Sequence, residues 1–214
     1  MIRYILFDVD DTLYPRSSSL FPMLRDRIIQ YMVDQLRMTR SEAEGLRERY
    51  LKEYGTATRG LHLNNQINLH DFLTYVHDLP VSQVLFRDPE LSWVLSQIPI
   101  EKCMFTNATR QHAINVADAL GIRHHFTHIF ALEDFDFISK PDPHPYKVVL
   151  RRLNARGEEC ILLEDSARNL LTAREFGMVT VLVDGRNVDV QLFDFTISRV
   201  HEILDVARKV GVLA

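Results

Sequence analysis

The stretch that decides the fold is Tyr4-Ile5-Leu6-Phe7-Asp8-Val9-Asp10-Asp11-Thr12, four apolar residues without a break followed by four polar or acidic ones around a single valine. A strand with one wet face alternates apolar and polar residues, whereas an unbroken apolar run suits a strand covered on both faces. The pattern returns at Cys103 to Phe105 before Thr106, at Ile161 to Leu163 before Glu164, and at Val179 to Val183 before Asp184. Helical patterns run from Arg110 to Leu120 ending at Gly121, from Pro143 to Leu153 ending near Gly157, and from Ala167 to Phe176 ending at Gly177. Glycine just past a periodic segment stops a helix because it takes the left-handed conformation without steric cost. Strands alternating with helices predict an α/β fold with a parallel sheet and right-handed crossovers.

Residues 15–87 read differently, with helical patterning and no strong strand candidate. Ser41-Glu42-Ala43-Glu44 has the form of a capping box opening a helix that runs through Tyr54, and Leu69 to Val76 continues the helical theme. The simplest reading is a helical insertion at 15–87 between the two parts of an α/β core, 1–14 and 88–214. In open α/β sheets ligands bind beyond the carboxyl ends of the strands. Asp8, Thr106 and Glu164 are therefore expected along one edge.

Composition narrows the function. The 214 residues are 46% hydrophobic, enough for a sizeable core, and carry 25 Lys and Arg against 29 Asp and Glu, a net charge of −4. The basic residues are scattered and the isoelectric point is about 6.1, which argues against a nucleic-acid polymer or an anionic membrane as partner. No run approaches the roughly 18 apolar residues of a membrane span, and the first residues leave no room for a signal peptide. Cys103 and Cys160 lie in strand-like runs, as buried thiols in a reducing compartment would, so a cytoplasmic protein is expected.

Asp8, Asp10, Asp11, Glu164 and Asp165 are expected to converge on one small region. Two like charges 4 Å apart cost about 4 kcal/mol at an effective dielectric of 20, so the cluster needs a cation or shared protons. Hard carboxylate oxygens without a nearby Cys or His pair suit Mg²⁺. A calcium-binding EF-hand loop is excluded, because Leu13 stands where glycine is required and Ser19 where glutamate is required. Thr106 supplies a hydroxyl, Asn107 opens a loop leading to a helix start, and Lys140 precedes the stiff turn Pro141-Asp142-Pro143. Lysine and backbone amides at a helix start complement a phosphate. A carboxylate beside such a group can act as a nucleophile, and a second one two residues on can move protons if the chain coils back after the strand.

With Asp8-Val9-Asp10-Asp11-Thr12, Thr106, Lys140 and Glu164-Asp165 in that order, the whole chain resembles the haloacid dehalogenase superfamily of phosphohydrolases. The resemblance implies a Rossmann-like parallel core with an inserted helical cap of the C1 type. It implies that Asp8 is the nucleophile and a Mg²⁺ ligand, and that Asp10 is the general acid and base and a ligand through its carbonyl oxygen. Thr106 and Asn107 would hold the phosphoryl oxygens, Lys140 would bridge nucleophile and phosphate, and Asp165 would bind the metal with Glu164 beside it. Asp10 points to a phosphatase, since displacing halide needs no proton donor.

Within the superfamily the sequence is similar to the pyrimidine 5′-nucleotidase group in Asp11-Thr12-Leu13-Tyr14-Pro15, Tyr54 to Leu61, Val76-His77-Asp78, Phe105-Thr106-Asn107-Ala108 and Asp165-Ser166-Ala167-Arg168-Asn169. It departs in Glu164, where Asp is expected, and in Ser139 before Lys140, where Pro is expected. A phosphatase for nucleoside 5′-monophosphates follows, with a phosphatase or phosphomutase for sugar phosphate or pyridoxal phosphate, and a non-catalytic aspartyl-phosphate switch, as the alternatives. In the cap, Arg59 and His62 are candidates for gripping the leaving group, and equally for a surface arginine and a packing histidine, with Tyr54 in the same position. His124, His125 and His128 suggest a solvated turn rather than zinc, and Asp184-Gly185 a structural turn.

Overall fold

The computed structural model describes residues 1–185 and 189–213. The chain runs β1 (Tyr4–Phe7), α1 (Leu20–Leu36), α2 (Arg40–Tyr54), α3 (Ala57–Asn64), α4 (Leu69–His77), α5 (Val81–Val84), α6 (Pro89–Ser96), β2 (Glu101–Phe105), α7 (Arg110–Leu120), β3 (His128–Phe130), α8 (Pro143–Leu153), β4 (Cys160–Glu164), α9 (Ala167–Glu175), β5 (Val179–Val183), β6 (Phe195–Ile197) and α10 (Ile203–Lys209). The strands form one sheet in the order β3-β2-β1-β4-β5-β6, with every pairing parallel. This is the doubly wound Rossmann order, whose direction of winding reverses beside β1. The reversal opens a crevice at the carboxyl ends of β1, β2 and β4.

Alternate residues of a strand face opposite sides of the sheet, and β1 shows why its run has no polar gap. Ile5 and Phe7 pack with Met104, Ile161, Val116 and Leu95 on one face. Tyr4 and Leu6 pack with Phe105, Leu162, Tyr146 and Leu170 on the other. The helices between β1 and α5 have their own core of Ile29, Met32, Ala43, Leu46, Leu61, Phe72 and Val76. Val81 and Leu85 belong instead to the cluster around Ile5.

Local signals were displaced in places. The capping box of α2 is built by Thr39 and Glu42, not by Ser41: the Glu42 carboxylate accepts from the Thr39 amide at 2.8 Å, and the Glu42 amide donates to the Thr39 hydroxyl. Helix α8 ends at Asn154, whose φ of 47° already provides the left-handed cap. Gly157 serves close packing, since a Cβ there would sit 1.7 Å from the Phe176 carbonyl oxygen. The three-residue strands β3 and β6 were not foreseen. Among the described residues no helix is long and apolar enough to cross a membrane.

Candidate active site

Strand β1 delivers Asp8 to the crevice, where its amide donates to the Leu163 carbonyl at 2.9 Å as if the strand continued. The chain then coils. Asp11 adopts φ 62° and the Leu13 amide donates to the Val9 carbonyl at 2.9 Å. Short polar side chains visit this left-handed region more readily than other non-glycine residues. The turn brings Asp10 back, so Asp8, Asp10 and Asp11 line one cavity of about 450 Å³ with Thr106, Asn107, Glu164 and Asp165. That volume lies within the usual range of small-molecule sites.

Lys140 ties the floor together. It is fully buried, and its ammonium donates to Asp8 Oδ1 at 2.9 Å, Glu164 Oε2 at 2.7 Å and the Phe105 carbonyl at 2.6 Å. Three protons meet three acceptors. Burial pushes this ammonium down, but Asp8 and Glu164 outweigh it and raise it to about 12. The Asn107 side chain clamps the same segment, donating to the Lys140 carbonyl at 2.9 Å and accepting from the Lys140 amide at 2.7 Å. Thr106 is buried and its hydroxyl accepts from the Ala108 amide.

Asp8, Glu164 and Asp165 can bring carboxylate oxygens within 4.8 Å of one another, and among the described residues no other group of His, Cys, Asp and Glu does so. Burial and then the Glu164 charge push Asp8 up to about 7 and Asp165 to about 8. Arg16 offsets part of this, with Nη2 2.5 Å from Asp165 Oδ2 and Nε 3.7 Å from Asp11 Oδ2. An all-oxygen set that resists ionising together suits a hard divalent cation, and a soft-metal site would show sulfur or imidazole. Glu164 is the least free of the three. Its Oε2 takes Lys140 and the Asn169 side-chain amide, and its Oε1 takes the Ser166 amide.

The Asp10 carboxylate stands apart from this trio. Its Oδ1 accepts from Tyr14 at 2.5 Å and from His112 Nε2 at 2.7 Å. Burial pushes Asp10 up, but His112 and Tyr14 outweigh it and hold the carboxyl below its ordinary value. His77 packs its ring 4.9 Å from that of His112 and is pushed down to about 4, chiefly by burial and then by His112.

The structure thus brings together Asp8, Asp10, Thr106, Asn107, Glu164 and Asp165 around one cavity, with Lys140 buried beneath it against Asp8 and Glu164. It leaves Arg59 and His62 outside. Helix α3 buries Gly60 and Leu61, so His62 is turned to solvent, and Arg59 lines a separate surface groove with Tyr54, Lys52 and Arg168. The helical residues that line the cavity include Phe21, Leu24, Arg25, Ile28, Arg47 and His77. His112 carried a sequence signal, because it shares the spacing of Val116 and Leu120 on the buried stripe of α7. Arg25 and Arg47 carried none. His125 bonds to Ser92 at 2.9 Å, and Asp184 sits in a left-handed turn after β5.

The family model of haloacid dehalogenase-like hydrolases matches residues 2–177. The chain is 30% identical to a glyceraldehyde 3-phosphate phosphatase of Methanopyrus kandleri, covering 99% of each chain. It is 28% identical to phosphate metabolism protein 8 of Saccharomyces cerevisiae over 84% of this chain and 61% of that longer protein. In fold it is similar to a HAD phosphatase from Thermococcus onnurineus, with a TM-score of 0.65 at 17% identity over 99% of both. With strand order, strand-end carboxylates and sequence match in agreement, the chain belongs to the haloacid dehalogenase-like hydrolases.

Proposed function

We propose that the chain is a Mg²⁺-dependent phosphomonoester hydrolase working through an aspartyl phosphate on Asp8. The observation that carries this reading is the Asp8–Lys140 contact of 2.9 Å on the cavity floor, with Asp10 returned to the same cavity two residues later. Lys140 spreads charge from the nucleophile and the incoming phosphoryl group, and Thr106 and Asn107 donate to the phosphoryl oxygens. An Asp8 carboxylate oxygen bonds to phosphorus while the ester P–O bond breaks, and Asp10 gives its proton to the departing oxygen. Water then attacks phosphorus, Asp10 takes its proton, and the Asp8–phosphorus bond breaks to release phosphate. Asp8, Glu164 and Asp165, with the Asp10 carbonyl that the family resemblance implies, would hold Mg²⁺, which would supply charge stabilisation for the phosphoryl oxygens. Residues 15–87 act as a cap that excludes water and reads the leaving group.

The leading substrates are pyrimidine nucleoside 5′-monophosphates. The reading rests on the similarity of five segments to that nucleotidase group, and the cavity offers an apolar wall of Phe21, Leu24 and Ile28 beside Arg47. A second reading, a triose or other small sugar phosphate, is favoured by the names of the archaeal relatives. The partner is a small phosphorylated metabolite in either case, and the buried free thiols of Cys103 and Cys160 suit the cytoplasm.

Phosphate release from UMP, CMP, AMP, glyceraldehyde 3-phosphate, glucose 6-phosphate, pyridoxal phosphate and p-nitrophenyl phosphate, with Mg²⁺ or EDTA, tests these readings. Asp8→Asn is expected to lower turnover on the order of 10⁴-fold or more while the protein stays folded. Preference for UMP or CMP supports the nucleotidase and preference for glyceraldehyde 3-phosphate the second reading. Turnover that survives Asp8→Asn overturns the mechanism.

A further inference from the structure

We infer that His112 is a positioning residue for Asp10, and that His77 of the helical insertion seats it. The inference rests on the reading of Asp10 as the proton carrier in phosphoryl transfer. Two donors from different parts of the chain converge on a single oxygen. The Tyr14 hydroxyl lies 2.5 Å from Oδ1 and His112 Nε2 lies 2.7 Å from the same atom. No hydrogen bond among the described residues reaches Oδ2, and Asp10 lines the cavity. A carboxyl group pinned through one oxygen by two donors loses its freedom to rotate, which fixes the direction in which its other oxygen faces. Oδ2 is left as the atom that gives a proton to the departing ester oxygen and then takes one from the attacking water.

His112 is held by little else. It is 1% exposed, and its Nδ1 is buried without a hydrogen-bond partner. What limits its ring is packing, and the ring against it is that of His77, at 4.9 Å and 49°. His77 is itself oriented, since its Nδ1–H donates to the Leu73 carbonyl at 2.9 Å within α4. A residue of the inserted helices thus buttresses the donor that orients a residue of the sheet edge. Placement of a catalytic group to within about 0.5 Å is what separates an efficient site from a loose one. The chain from His77 through His112 to Asp10 couples the seating of the insertion to that placement.

A structural role would lower every activity alike, whereas a role through Asp10 follows the leaving group. Protonation matters for an alkyl alcohol and hardly at all for p-nitrophenolate, which leaves as the anion. The experiment compares kcat/KM, which reports only steps through formation of the aspartyl phosphate, on the best alkyl ester of the panel above and on p-nitrophenyl phosphate. His112→Ala is expected to lower the alkyl value on the order of 10²-fold and the aryl value by less than about threefold, with inhibition by inorganic phosphate unchanged. His112→Gln, whose side-chain amide can replace the Nε2 donor, recovers most of the alkyl rate. Tyr14→Phe, which keeps the ring, shows the same asymmetry to a smaller extent if His112→Ala does not fold. His77→Ala loses part of the alkyl rate, and His77→Phe, which puts a ring back against His112, recovers part of that loss. Equal losses on both esters, or a Gln variant no better than Ala, overturn the inference. Turnover surviving Asp8→Asn overturns the phosphoryl-transfer reading instead.

Discussion

The sheet edge and the helical wall above it treat their polar groups in opposite ways. At the edge, each proton of Lys140 has an acceptor, both oxygens of Glu164 are engaged, and Asn107 matches donor and acceptor against the Lys140 backbone. In the wall, Arg47 Nε is buried with no acceptor, and the hydrogen bond of Arg25 is to its exposed neighbour Asp26 at 3.4 Å. A buried polar atom without a partner costs about 1–3 kcal/mol, an expense that the wall carries at Arg47 and that the edge carries only away from Lys140, at Asp11 Oδ1, Thr12 Oγ1 and His112 Nδ1. The edge is organised in advance for one reaction, and the wall is left for whatever the leaving group supplies.

The edge is the harder of the two to break harmlessly. Replacing Lys140 with Met keeps bulk but leaves Asp8 and Glu164 buried without their cation. Removing one member of a buried ion pair typically costs about 3–5 kcal/mol. Urea unfolding of Lys140→Met is expected to show a loss of that order together with loss of phosphatase activity. The loss is smaller at low pH, where the stranded Asp8 carboxyl, already raised by burial, takes up a proton. A variant as stable as the parent at about pH 8 would mean that the triangle is not a closed unit.

A milder perturbation uses protons and metal. Asp8 at about 7 and Asp165 at about 8 both lie above the ordinary value of 3.8, so the folded protein holds protons that the unfolded chain has already released. Their contribution to stability is complete below the unfolded value and is lost as pH rises through the folded ones. In EDTA the melting temperature should fall by several degrees from about pH 5 to about pH 8.5. Mg²⁺ should restore more of it at the upper end, because the cation replaces the missing protons. A Mg²⁺-induced shift that is the same at every pH would detach the acidic trio from metal binding.

What could be read from the sequence follows the same division. The groups at the edge were legible because the chain itself ties them to apolar runs: Asp8 follows Phe7, Thr106 follows Phe105, and Glu164 closes β4. The edge strands His128-Ile129-Phe130 and Phe195-Thr196-Ile197 were too short to show a period. The Asp10 partners were hidden for another reason. His112 lies 102 positions away, and its approach exists only after the sheet and α7 are packed. In the helices that follow β1, similarity of the segment around Arg59 marks α3 without saying which of its faces meets the cavity. That orientation is decided by Gly60 against the Tyr50 ring, where a Cβ would lie 2.2 Å from Tyr50 Cγ.

The smallest expected effect, and the sharpest use of the contrast, compares two arginines of the helices that follow β1. Arg47 lines the cavity with a buried, unmatched Nε, and burial followed by the Arg25 charge holds its guanidinium below the ordinary value. An acceptor on the substrate would relieve both conditions. Arg59 lies in the groove with Tyr54 and Arg168, and its backbone amide caps α3 on Thr56. A hydrogen bond to a charged donor is worth about 1.5–3 kcal/mol, so Arg47→Ala should raise KM for the preferred substrate on the order of tenfold with kcat nearly unchanged. Arg59→Ala should leave both within about twofold, as a substitution of a half-buried surface residue away from the site does. Steady-state kinetics on the two variants decides the matter. If Arg59→Ala raises KM and Arg47→Ala does not, the leaving group lies along the α3 groove rather than against the wall of Phe21, Leu24 and Ile28.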